Sequence, residues 1–99
     1  MRDTLDKLAS QKSRARDMYI CQRCAEREDK ETEPNVHNHA AHIFSRNNFS
    51  TRWNLKNLIT LCYYCHIYWA HRNPAEFVSW VRNKIGEDIY KELEKESKK

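Results

Sequence analysis

A small α+β domain is the fold class this sequence predicts, and three observations carry the prediction. Two Cys-x-x-Cys pairs, Cys21/Cys24 and Cys62/Cys65, stand 37 residues apart. Between them lie two short runs with strand-forming residues, separated by the turn-like segment Asn47-Asn48-Phe49-Ser50-Thr51. On both sides lie stretches whose apolar residues recur at helical spacing. A chain of 99 residues makes one domain, 1–99, and buries only ~60–65% of its unfolded surface, so its core needs a staple.

Composition narrows the class further. Apolar residues are 39% and charged residues 32%, with a single glycine, which excludes a wholly disordered chain. No apolar run approaches the ~20 residues of a membrane span, and the opening MRDTLDKLAS lacks the apolar segment of a signal peptide. A cytoplasmic location is expected, and four cysteines there point to a metal more than to disulfides. The formal charge of +4 accommodates an anionic partner such as nucleic acid without selecting one.

Taken in order, residues 3–17 place Leu5 and Leu8 at helical spacing, with Asp3 or Thr4 to cap the start. Lys12, Arg14 and Arg16 at its far end read as a solvated face first and a phosphate contact second. The core section, 18–72, begins with Met18-Tyr19-Ile20 leading into the first cysteine pair as a tight turn. The polar, acidic stretch 25–35 is a loop facing away from any nucleic acid. Residues 36–45 are the first strand and 55–61 the second, after which Cys62–Cys65 turns the chain into a helix carrying His66 to Ala70. In the C-terminal section, 74–97, Asn73, Pro74 and Glu76 form a helix start, Phe77, Trp80, Val81 and Ile85 a packing stripe, and Gly86 a stop. A last helix contributes Ile89, Tyr90 and Leu93.

Four thiolates from Cys21, Cys24, Cys62 and Cys65 make a tetrahedral structural Zn²⁺ site with no open position for water or substrate. A set of three cysteines and one histidine, using His37 or His66, is the alternative. Structural zinc contributes ~10–16 kcal/mol of apparent binding energy, large against a core of this size.

The stretch His39 to His71 holds four of the five histidines. His42-Ile43, Arg46, Arg52-Trp53, Asn57, Leu61-Cys62 and Cys65-His66 read together as H-I-x-x-R, R-W-x-x-x-N and L-C-x-x-C-H. This resembles the HNH endonucleases, the ββα-metal nucleases, and within them small phage-type members. The resemblance covers residues 21–71 and implies a ββα-metal core flanked by helices. It implies that His42 is the general base, that Asn57 lies near the catalytic metal as geometry-keeper or ligand, and that His66 is a metal ligand. Ordinary imidazole, with a pKa of ~6.5, suits the base role near neutral pH.

Two departures from the family pattern stand out. Ala41 occupies the position where many members carry an Asp or His metal ligand, and Ala70 occupies that of a second helical histidine. Strand alternation puts His39 on the same face as Ala41, as a substitute ligand. His71 lies one residue beyond the expected helical position, ~100° round an α-helix, and reads foremost as surface. Arg46 and Arg52 match arginines of the phage-type motif, and a guanidinium clamps phosphate through paired hydrogen bonds. Arg46 is the phosphate clamp, whereas Arg52 divides between DNA and a structural carboxylate. Trp53 and Trp69 belong to packing, and none of the aromatic residues forms a base-reading motif.

The function expected from the resemblance is divalent-cation-dependent nicking of DNA with Mg²⁺ or Mn²⁺, in a bacterial host cell if phage-encoded. The rival is a catalytically inactive DNA- or protein-binding module of a phage, a regulator or packaging accessory. DNA is the partner, with no membrane, while a homodimer or a phage protein partner stays open. The C-terminal helices either complete the core or support that dimer.

Overall fold

A computed structural model describes residues 2–27, 32–45 and 47–99. Arg46 therefore lies outside the described residues. The chain runs α1 (Arg2–Arg16), α2 (Gln22–Arg27), β1 (His39–His42), α3 (Phe49–Arg52), a 3₁₀ turn (Leu55–Asn57), β2 (Leu58–Leu61), a π-helix (Tyr64–Ala70), α4 (Pro74–Ile85) and α5 (Glu87–Ser97). None of the described helices is long and apolar enough to cross a membrane.

The two strands form an antiparallel hairpin in the register His39↔Leu61, Ala40↔Thr60, Ala41↔Ile59 and His42↔Leu58. Side chains alternate across the pleat, so the hairpin has two working faces. Ala41, Ile59 and Leu61 face the main core with Cys65, Trp69, Phe77, Val81 and Tyr90. Ala40, His42 and Leu58 line a cavity of about 190 Å³ whose other wall is Asp6, Ala9 and Ser10 of α1 and Arg52. Both strands are shorter than the runs 36–45 and 55–61 suggested. Asn35 accepts from the His37 N–H in an Asx turn and Val36 is 64% exposed, so the chain enters β1 only at His39.

At the basic end of α1 Lys12 is exposed as a solvated face would be, whereas Arg14 and Arg16 bind backbone elsewhere in the fold. Arg16 donates to the carbonyls of Leu55 and Leu58, both at 2.7 Å, and Arg14 to that of Val36 at 2.9 Å. Asp17 accepts from the Thr60 N–H at 3.1 Å and from Arg16, and hydrogen bonds outweigh burial to hold its carboxyl below the usual range. These contacts dock α1 across the hairpin and occupy backbone groups that an edge strand would otherwise leave open.

Past α1 the chain reverses through two non-glycine residues in the left-handed region, Met18 at φ 54° and Tyr19 at φ 59°. The Tyr19 N–H reaches back to the Arg14 carbonyl, closing the helix end. The Tyr19 carbonyl is held by the Asn35 N–H and by Asn38 Nδ2, both at 2.8 Å, which fixes the approach to Cys21.

At the other end, α4 starts at Pro74 as its sequence signals indicate, although Asn73 makes no side-chain cap and instead donates to the Trp69 carbonyl. Gly86, at φ 92° and ψ 147°, turns α4 into α5 in a conformation that L-residues with a Cβ rarely adopt. Arg82 and Glu87 pair across this corner. Phe77, Val81 and Tyr90 enter the core, so the C-terminal helices complete it.

Candidate metal centre and active site

The two cysteine knuckles meet where α2 and the start of the π-helix converge on β2. All four sulfurs lie within 4.8 Å of one another. Cys24 Sγ stands 3.9 Å from Cys62 Sγ and 3.7 Å from Cys65 Sγ. Sulfurs ~2.3 Å from a tetrahedral zinc are ~3.8 Å apart, so the quartet fits that ion closely. It takes no histidine, which decides for four thiolates over three with an imidazole.

The electrostatics agree with a site made for a cation. Hydrogen bonding from Cys65 brings the Cys21 thiol down to about 4 despite burial. Burial and the charge on Cys21 push Cys24 up to about 11, and the hydrogen bond to Cys21, with burial, pushes Cys65 up as well. Mutual repulsion thus opposes ionising Cys24 and Cys65 beside Cys21, and a divalent ion would relieve it. Arg23, a residue whose role sequence reasoning missed, lies 3.6 Å from Cys65 Sγ and stacks over the Trp69 ring at 3.9 Å. Its charge would offset part of the excess negative charge of four thiolates around one Zn²⁺.

The second cluster is made of histidines. His39 on β1 and His66 on the π-helix bring their Nδ1 atoms to 2.9 Å. That separation is a hydrogen bond between the two rings, and it is also close to the ~3 Å between two nitrogens held ~2.1 Å from one ion at a right angle. Ala41, 2% exposed, is turned into the core, whereas His39 is the imidazole that faces His66. Burial, followed by the charges of His71, His39 and His42, lowers His66 to about 4 and keeps it neutral, the form that binds metal.

His71 is exposed, as expected, and its ring nevertheless lies against that of His66. The helix after Cys65 is wound as a π-helix, with the His71 N–H bonded to the His66 carbonyl five residues back at 3.2 Å. The wider turn carries His71 to the azimuth an i+4 residue would take in an α-helix, and its ring centroid lies 4.6 Å from that of His66. Position 70 turns inward in the same winding, and Ala70 is buried at 5%. An α-helical wheel hides this relation, because it places positions 66 and 71 about 140° apart.

His42 lies on the opposite pleat from His39, in the cavity beneath α1. Its Nε2 is 3.1 Å from the Arg52 carbonyl. A carbonyl accepts only from N–H, so this contact selects the tautomer with Nδ1 as the proton-accepting nitrogen. His42 remains near enough to His66 for its charge to bear on it.

Asn57 is completely buried. Its Oδ1 accepts from the Phe44 N–H at 2.8 Å, and its Nδ2 donates to the carbonyls of Phe44 and Thr51, each at 3.1 Å. The side chain is a clamp on the crossover between the strands. It holds the loop after His42 and the turn supplying the Arg52 carbonyl. Arg52 itself grips Asp6 at 2.9 and 2.6 Å, and Asp6 also accepts from Trp53 Nε1 at 2.8 Å, tying α3 to α1. Trp69 packs edge-on against Phe77 and Trp80 beside the cysteines.

Residues 21–68 match the model of the HNH endonuclease family. No curated protein and no solved structure gives a significant match to the chain.

Proposed function

We propose, starting from the HNH endonuclease domain this chain carries, that the protein nicks DNA by hydrolysing phosphodiester bonds with the help of a divalent cation. The observation that carries this reading is the 2.9 Å pair of His39 and His66 nitrogens on a zinc-clamped hairpin and helix. His39 and His66 hold the ion, while His71 lies against His66 without completing a three-donor group. Imidazole donors take Mn²⁺ more readily than the harder Mg²⁺, and either ion serves. Such an ion neutralises charge at the scissile phosphate and its leaving oxygen.

His42 is the general base. With Nε2–H directed at the Arg52 carbonyl, Nδ1 takes the proton of the attacking water and passes it to solvent. Asn57 acts by positioning, through the loop it clamps. Arg46 is the phosphate contact carried over from the family motif, while Arg52, held by Asp6 at 2.9 and 2.6 Å, serves the fold.

A second reading, a DNA- or protein-binding module without catalysis, is favoured by one observation. Among the described residues, the cysteines are the sole group of three or more His, Cys, Asp or Glu side chains close enough to share an ion. Nicking of supercoiled plasmid by zinc-loaded protein separates the two. The nuclease reading expects nicking with Mn²⁺ or Mg²⁺, none without them, and none by a folded His42→Ala variant. Retention of plasmid on the protein with no nicking in any cation favours the module.

A further inference from the structure

The surface of the π-helix carries three exposed tyrosines. Tyr63, Tyr64 and Tyr68 are 57, 62 and 42% exposed, whereas the adjoining Trp69 is buried. The exposed rings are ordered against one another. Tyr64 and Tyr68 stack with centroids 5.8 Å apart and planes inclined by 25°, and Tyr63 meets Tyr68 edge-on at 5.8 Å. The Arg72 guanidinium sits 5.0 Å from the Tyr68 ring centroid. At the other end Tyr63 meets His39 edge-on at 5.9 Å. An unbroken aromatic surface thus runs from a cation at Arg72 to the imidazole pair His39 and His66.

Aromatic side chains left in water in a chain this short in core material mark a surface used for contact. The Arg72 guanidinium stands at its edge, so the surface suits an anionic partner, in keeping with the net charge of +4. Stacked aromatic rings with a guanidinium beside them are the combination that binds single-stranded nucleic acid, through stacking on base faces that a duplex keeps covered. We propose that Tyr63, Tyr64, Tyr68 and Arg72 form a stacking platform for unpaired DNA bases, which leads a single-stranded segment of substrate to the histidine pair. This inference rests on the nuclease reading for its direction, and it extends that reading to the shape of the substrate. Stacking is tolerant of sequence, so the platform selects strand form and not base identity.

The test is fluorescence anisotropy of short fluorescein-labelled oligonucleotides with the intact zinc-loaded chain and no added divalent cation, so that binding is read without cleavage. Single-stranded DNA is expected to bind more tightly than the duplex of the same sequence. Tyr68→Ala weakens single-strand binding by on the order of 10-fold with its salt dependence unchanged, while Tyr68→Phe and Tyr64→Phe keep wild-type affinity. Arg72→Gln lowers the slope of log affinity on log salt by about 0.7, the value for one phosphate contact on a single strand. Duplex bound as tightly as single strand, wild-type affinity in a Tyr68→Ala variant with full zinc content, or clear preference for the RNA version of the strand overturns the proposal. These outcomes are independent of nicking: lost plasmid cleavage with strand selectivity intact counts against the nuclease reading, and the converse against the platform.

Discussion

Asn57→Ala is the substitution that separates a clamp from a metal ligand. In the folded chain the Asn57 side chain is fully buried and makes three hydrogen bonds, two to the Phe44 backbone and one to Thr51. Alanine removes all three and leaves an N–H and two carbonyls short of a partner in a site without room to rearrange. At ~1 kcal/mol for each bond, with a further penalty for the stranded Phe44 N–H, the loss is about 3–5 kcal/mol. That is a large share of the ~5–15 kcal/mol that separates folded from unfolded domains. Asn57→Asp keeps the shape and the acceptor for Phe44, but turns both donated bonds into contacts between oxygens, so it is expected to be comparably damaging at neutral pH. Urea unfolding of zinc-loaded proteins, followed by tryptophan fluorescence, reads these changes directly. Asn57→Ala within about 1 kcal/mol of wild type, combined with lost cleavage, would refute the clamp and return Asn57 to the chemistry.

Four other expectations follow from the same geometry. Cys24→Ser, or removal of zinc by a chelator, unfolds the domain, seen as loss of the far-ultraviolet helical signal that added Zn²⁺ restores only in the wild type; a native spectrum without metal contradicts the staple. His66 has its folded pKa depressed to about 4 by burial and neighbouring charge, so stability is fully present above the unfolded value of ~6.5 and falls as pH drops from there toward 4. His66→Gln flattens that part of the stability profile, whereas equal slopes in both proteins argue against it. Gly86→Ala costs about 1–2 kcal/mol from its positive φ alone, since a Cβ there meets nothing within 4 Å, and an unchanged urea midpoint contradicts that. Transferring the histidine, as Ala70→His with His71→Ala, fails to restore any Mn²⁺ affinity lost in His71→Ala, because position 70 points into the core.

The parts of the fold legible in the sequence are those set by local chemistry. Pro74 at the head of α4 and Gly86 at its end fixed the helix that runs Pro74–Ile85. The cysteine spacing pointed to a four-thiolate site because two short knuckles can present sulfurs to one ion wherever the hairpin brings them together. What escaped the sequence was long-range. Arg14 and Arg16 looked like a charge run on the surface, and only the folded chain shows their guanidinium groups holding carbonyls more than twenty residues away. The short helix α2 took shape inside a stretch read as turn and loop. The π winding that brings His71 to His66 has no glycine or proline within it to announce it. Tyr63, Tyr64 and Tyr68 looked like Trp69 in one dimension; burial alone separates them.

The most direct measurement is calorimetric titration of Mn²⁺ into zinc-loaded wild type, His66→Ala and His42→Ala, with plasmid nicking followed on the same samples. If His66 holds the cation and His42 moves the proton, His66→Ala loses both the binding heat and nicking. His42→Ala binds Mn²⁺ as the wild type does and leaves the plasmid supercoiled. Undiminished Mn²⁺ binding by His66→Ala, or nicking by His42→Ala at the wild-type rate, contradicts the account.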